Sequence, residues 1–257
     1  MTVNLFCFHH AGGTASVFRA WEGALPDGVT LRPVQLPGRE NPAAALPYAD
    51  LRSLIADLDA QLDDELAAPH AFFGHSMGAL LAYWLLQRRM ARAARLPEVF
   101  LAAAYAAPHL TRPVLVGNDI DSVDDLTLAH RLRAIGGLPE DLLTRPEWLR
   151  VLLGSVRADL RLCADHRYIA APPLPMPVFV FGGRHDPLVT LDQLDGWREH
   201  AADAFALDVL DGGHFLVQDR NAGLLPALGR RLAEVAGRVP DRLAAQHTTV
   251  APLRRVR

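Results

Sequence analysis

The sequence predicts an α/β fold with a mostly parallel central sheet, helices on both faces and an inserted helical lid. Three observations carry this. Short apolar runs alternate with longer helical stretches along most of the chain. The alternation lapses between Leu110 and Ala171, where helical patches occur without a good strand. A serine flanked by glycines, Gly74-His75-Ser76-Met77-Gly78, stands between an apolar run and an apolar helical stretch.

In chain order, Val3 to Phe8 reads as a strand that runs into the glycine turn His9-His10-Ala11-Gly12-Gly13. Leu31 to Gln35 reads as the second strand, and Leu51 to Leu66 as the first long helix. Ala71 to Gly74 is the strand before the serine turn, and Ala79 to Ala94 the helix after it. Val99 to Ala104 gives the fourth strand. Helical patches at Asp124 to Ile135, Pro139 to Leu143 and Pro146 to Ala164 form the lid. Leu142, Leu143, Trp148, Leu149, Leu152, Leu153, Val156 and Leu160 make its apolar face, packing residues for the most part, with some left to line a pocket. The proline-rich run Pro172 to Pro177 returns the chain stiffly to the sheet. Val178 to Phe181 and Phe205 to Leu210 are the last strands, with helices at Leu191 to His200 and Ala222 to Ala236. The expected organisation is one domain over residues 1–240, with a lid at about 110–171 and a flexible tail at 241–257.

Composition narrows the function. A chain of 257 residues, half of them apolar, can bury one large core. A formal charge of −3 argues against a nucleic-acid partner, which needs a concentrated basic surface. All 26 basic residues are arginine, a coding bias with no functional reading. Two cysteines, Cys7 and Cys163, suggest neither a disulfide framework nor a metal set, so no metal or cofactor is expected. There is no signal-like start and no run long enough to span a membrane, which predicts a soluble, cytoplasmic protein without a membrane partner, read here as a monomer.

The serine turn carries the chemistry. Its glycines allow strand and helix backbones to meet closely, which lifts the Ser76 hydroxyl above the sheet. A serine hydroxyl is a weak nucleophile, so a histidine must take its proton and a carboxylate must orient that histidine. In this architecture the acid and then the base follow later strands. Asp186 follows the strand Val178 to Phe181 and precedes Pro187, whereas Asp192, Asp195, Asp203 and Asp211 fit solvated loops or helix caps. His214 sits in the turn Asp211-Gly212-Gly213-His214 after the last strand, and His75 and His185 read as structural neighbours. A tetrahedral intermediate also needs amides aimed at its oxygen. Met77, after the serine, supplies one, and Ala11 in the early glycine turn is the candidate for the other.

These residues resemble a known family, the stand-alone type II thioesterases of polyketide and nonribosomal peptide assembly lines. The resemblance rests on Ala11-Gly12-Gly13, Val34 to Glu40 (Val-Gln-Leu-Pro-Gly-Arg-Glu), Gly74 to Ala79, Arg157-Ala158-Asp159, Gly182-Gly183 with Asp186 to Val189, Trp197, and Gly212 to Phe215. It departs from the family at His9-His10, where a proline commonly stands, and at Leu153 to Val156, where a missing proline implies a less kinked lid helix. It implies an α/β-hydrolase fold and hydrolysis of acyl thioesters from the phosphopantetheine arm of acyl or peptidyl carrier proteins, as an editing step, with no cofactor of the enzyme's own. The same triad would also serve a product-releasing thioesterase or an ester or lactone hydrolase. A binding protein on an inactive hydrolase fold would normally break the triad, which is complete here. Arg88, Arg89, Arg92 and Arg95 at the end of the helix behind the serine read either as cations complementing the helix dipole or as a dock for an acidic carrier.

Overall fold

Central strands buried on both faces must be apolar along their whole length, and edge strands need not be. That is the pattern of the computed structural model, which describes residues 2–37, 39, 48, 50–110, 120–138 and 140–247. Six strands pair in the order β2-β1-β3-β4-β5-β6, every neighbouring pair parallel. They are β1 (Val3–Phe8), β2 (Val29–Val34), β3 (His70–His75), β4 (Phe100–Ala103), β5 (Val178–Gly183) and β6 (Phe205–Leu210). β3, β4 and β5 are buried throughout, while β6 at one edge is half-buried. β2 forms the other edge, which is where Pro33, with no amide to donate, can be tolerated.

Alternate side chains feed two cores. Phe6, Phe8 and Phe72 face the helices α1 (Leu51–Leu62) and α2 (Met77–Ala91), with Trp197 in the same layer. Leu5, Cys7, Ala71 and Phe73 face Phe18, Trp21 and the last helix, α6 (Leu224–His247). The Trp197 indole N–H donates to the Tyr105 carbonyl at 2.8 Å, so this tryptophan of the resemblance is a packing residue. Cys7 is buried in β1, and neither Cys7 nor Cys163 is in a disulfide.

Between β4 and β5 the described residues contain no strand. They form α3 (Asp125–Ala134), a 3-10 turn (Glu140–Thr144) and α4 (Pro146–Ala164), with their own small core around Leu128, Leu132, Leu153 and Val156. α4 is unbroken for 19 residues, as the missing proline led one to expect. The expected apolar face holds except at Trp148, which is 67% exposed.

Two elements differ from expectation. Leu191 to His200 divides into α5 (Leu191–Asp195), begun by a capping box at Thr190 and Gln193, and a 3-10 turn (Gly196–His200). α6 (Leu224–His247) continues past the Ala236 end expected for it, so the boundary set at residue 240 falls inside a helix. Pro240 suggested a stop, but the following Arg242-Leu243-Ala244-Ala245-Gln246 consists of strong helix formers. Residues 248–257 of the expected tail lie outside the described residues.

Candidate active site

A serine can stand between a strand and a helix only if the two backbones nearly touch. Ser76 has φ 53° and ψ −121°, a left-handed conformation that side chains rarely adopt. The flanking glycines are required by distance. A Cβ on Gly74 would lie 2.4 Å from the Gly78 carbonyl oxygen, and one on Gly78 would lie 2.0 Å from the Phe8 carbonyl oxygen. The Ser76 amide donates to Ala103 on the neighbouring strand at 2.8 Å, tying the turn to the sheet.

The structure brings the three sequence candidates into one hydrogen-bonded chain. The Ser76 hydroxyl donates to His214 Nε2 at 3.0 Å, and His214 Nδ1–H donates to Asp186 Oδ2 at 2.9 Å. Ionised carboxylates only accept, so Asp186 fixes the proton on Nδ1 and leaves Nε2 free to receive one. The other Asp186 oxygen accepts the Leu188 and Val189 amides at 2.8 and 3.2 Å. The Asp186 side chain is wholly buried. Gly183 lets the β5 end and the histidine turn meet, since a Cβ there would sit 2.2 Å from the Gly213 carbonyl oxygen.

The rejected candidates lie elsewhere. Asp211 pairs with His185 at 3.0 Å in an exposed position, Asp195 pairs with Arg198, and Asp192 lies in the first turn of α5. His75 is structural in a specific sense. Its Nε2–H donates to the His214 carbonyl at 2.8 Å, holding the backbone of the candidate base. Burial, reinforced by nearby His214, lowers its pKa to about 3, so it stays neutral. His10 is likewise held neutral by burial and packs edge-on against His75 and Phe215.

Met77 begins α2, where the first amides have no acceptor within the helix. Ala11 sits half-buried in the turn after β1, packed against the larger core. Around it the Gly13 amide donates to His10 at 3.0 Å, the Gly12 amide to Asp159 Oδ2 at 2.7 Å, and the Ala15 amide to Gln35 Oε1 at 2.8 Å. Asp159 comes from α4 and is ion-paired with Arg39, both side chains being buried. Burial raises the Asp159 pKa to about 6 against the opposing pull of Arg39 and the Gly12 N–H. Sequence reasoning quoted these residues as motif positions but gave them no role. The available signal was Asp159 falling on the apolar stripe of α4, three residues after Val156 and six after Leu153.

The arginine cluster is neither a free cationic surface nor a bare helix end. Arg88, Arg89 and Arg92 pair with Asp59 of α1, Arg89 and Arg92 also with Asp63, and Arg95 with Glu98. Arg89 and Asp59 are buried, and this network joins α2 to α1.

A parallel sheet, a strained serine turn over its end and a helical lid across it define the class as a hydrolase of the α/β-hydrolase fold. The thioesterase domain family matches residues 3–232, and the chain belongs to that family. A protein named linear gramicidin dehydrogenase, from Brevibacillus parabrevis, is 36% identical over 226 residues, 87% of this chain and 85% of that protein. Among solved structures, the thioesterase RedJ of the prodiginine pathway in Streptomyces coelicolor superposes with a TM-score of 0.79 at 34% identity, covering 89% of this chain and 85% of that one. The type II thioesterase BorB of the borrelidin biosynthetic cluster gives 0.76 at 31% identity, covering 90% and 93%. Among the described residues no helix is long and apolar enough to cross a membrane.

Proposed function

We propose that this thioesterase hydrolyses acyl groups from the phosphopantetheine arm of acyl or peptidyl carrier proteins, as an editing enzyme of polyketide or nonribosomal peptide synthesis. The observation that supports it most is the Ser76–His214–Asp186 chain in a member of the thioesterase family. Ser76 attacks the thioester carbonyl while His214 Nε2 takes its proton. The amides of Met77 and Ala11 hold the oxyanion. The intermediate collapses, the C–S bond breaks and the pantetheine thiol leaves with the proton from His214. Water, deprotonated by His214, then attacks the acyl-serine, and the carboxylic acid is released with Ser76 restored.

A thiol of pKa about 8.5 leaves far more readily than an alcohol, so this site can release a sulfur leaving group with little help. The reaction needs no metal and no cofactor beyond the substrate's own arm. The dehydrogenase chemistry in one relative's name is not carried over, because the turn after β1 reads His9-His10-Ala11-Gly12-Gly13-Thr14 and lacks the G-x-G-x-x-G dinucleotide pattern.

Hydrolysis rates on an acyl-pantetheine thioester and its matched oxygen ester test the assignment. A kcat/KM higher by about tenfold or more on the thioester is expected. Equal rates, or a faster oxygen ester, would make this an ester or lactone hydrolase.

A further inference from the structure

The two motifs that the catalytic chain leaves unused meet at one buried point. Gln35 and Arg39 follow β2, Asp159 lies on lid helix α4, and both groups reach the turn after β1. The Gln35 side chain accepts the Ala15 amide, and Asp159 accepts the Gly12 amide while pairing with Arg39. Gly12 also lies close against the lid. Its φ is +75°, and a Cβ there would lie 2.3 Å from Val156 Cγ2, one turn before Asp159 on the same helix. Arg157, two residues before Asp159, donates to the Ile120 and Val123 carbonyls and pairs with Asp125. Thus α4 holds the start of the lid with Arg157 and the turn beside the nucleophile with Asp159.

We propose that Asp159, held by Arg39, is a positioning residue that fixes the Ala11–Gly12 peptide and, through the Ala11 α-carbon, steadies the adjoining His10–Ala11 peptide whose N–H is the oxyanion donor and whose carbonyl accepts the Gly13 amide, making that donor depend on the seating of the lid helix. The geometry explains why a carboxylate is kept in an apolar stripe. A buried ion pair seldom improves stability over an apolar pair of similar size, so its retention calls for another use. Here the use is orientational. A carboxylate bonded to an amide holds the peptide plane with a charge-assisted bond, and Arg39 holds the carboxylate. When α4 lifts, Asp159 leaves Gly12, and the Ala11 amide is held only by the Gly13 bond to the His10 carbonyl. An open lid is then a weak catalyst, and turnover waits for the acyl chain to be covered.

This deepens the proposed function and rests on Ala11 as an oxyanion donor, but its test needs no thioester. A fluorophosphonate reacts with an activated serine through a pentacoordinate transition state that builds negative charge on the phosphoryl oxygen before fluoride leaves, and the probe's labelling rate at Ser76 can be followed by intact mass. Two double variants isolate the Gly12 bond. Arg39→Met/Asp159→Asn and Arg39→Met/Asp159→Leu both remove the ion pair and have side chains of similar size, but only asparagine retains an oxygen to accept the Gly12 amide. The expected result is labelling slowed about 100-fold in the leucine variant, the scale of one lost oxyanion donor, and recovered at least tenfold by asparagine. A structural role alone would slow both variants alike. Equal labelling rates in the two, or wild-type rates in both, overturn the proposal.

Should the leucine variant fail to fold, Gly12→Ala carries the test, because its methyl group meets Val156 Cγ2 and strains the turn at φ +75°, loosening the seat of Gly12 against α4. Slowed labelling with cooperative melting retained is expected there, and wild-type labelling overturns the proposal. Wild-type protein that takes the fluorophosphonate at Ser76 but leaves acyl thioesters intact would count against the proposed function and leave this test standing.

Discussion

Asp186 does two jobs with two oxygens. One receives the His214 Nδ1 proton and the other two backbone amides, so its orientation is set before any substrate arrives. Asp186→Asn keeps an acceptor for the amides but can present an N–H to His214 Nδ1, which puts the imidazole proton on Nε2, so that this nitrogen can no longer accept one from Ser76. We expect kcat to fall by about 10⁴-fold with little change in unfolding midpoint, measured by steady-state hydrolysis and urea titration. A loss below about tenfold would remove Asp186 from the mechanism. The three triad residues were legible in the sequence because each follows a strand end in a turn dense with glycine or proline. Asp159 and Arg39 were legible as motif positions but not as a pair. One lies on β2's exit and the other on α4, and only the tertiary contact brings the cation to the buried carboxylate. His75 was read as structural, but its bond to the His214 carbonyl spans 139 positions and leaves no local trace.

The elements meet through glycines, and the same residue type has opposite meanings at different joins. At Gly78 a methyl group would overlap the end of β1, whereas at Gly154, in the exposed middle of α4, it would meet nothing within 4 Å. Gly78→Ala is expected to abolish cooperative folding or to yield protein without activity. Gly154→Ala is expected to stabilise by about 1 kcal/mol through helix propensity, with unchanged kcat. Thermal melts of both variants check this, and a destabilised Gly154→Ala would mean that α4 is not seated as described. The ion-pair network between α1 and α2 gives a second expectation. Arg89→Ala removes the one buried cation of Asp59, leaving it the more exposed Arg88 and Arg92, and should cost about 1.5–3 kcal/mol in urea unfolding. A stable Arg89→Ala variant with weakened carrier binding would restore the docking role that the sequence allowed. The sequence showed the arginines gathered at the helix end but not the acids of α1, about 30 positions away, that meet them. Strand positions were clear from apolar runs, while helix ends drifted where capping decided them, as at Thr190 and in the continuation of α6.

At the scale of the whole molecule, buried neutral histidines set the response to acid. His9, His70 and His75 have pKa values lowered by burial to about 4, about 4 and about 3. Unfolding returns each to about 6.5, so below that pH the unfolded chain binds more protons and stability falls as pH falls. Asp159 has the opposite sign. Its pKa is raised from 3.8 to about 6, so its penalty grows as pH rises through that window and is relieved in acid. His200, lowered to about 4, and His10, lowered well below its ordinary value by burial, act in the same direction, so the histidines outweigh Asp159 and the net loss between pH 7 and pH 5 is about 4 kcal/mol or more. Urea unfolding at the two pH values measures it, and equal or greater stability at pH 5 would contradict the buried, neutral state of these rings. The parallel sheet, two-faced core and lid were all readable from periodicity, because each follows from where apolar residues recur. The coupling of lid to catalytic turn was not, because it depends on which polar residues the folded chain buries together. The central claim is that this molecule clears acyl groups from carrier proteins through Ser76. Intact-mass tracking of an acyl-loaded carrier protein, with the same acyl group on coenzyme A alongside, tests it most directly. Loss of the acyl mass with wild-type protein and not with Ser76→Ala, faster from carrier than from coenzyme A, is the predicted result. An acyl-carrier mass that stays unchanged in the presence of folded wild-type protein would contradict it.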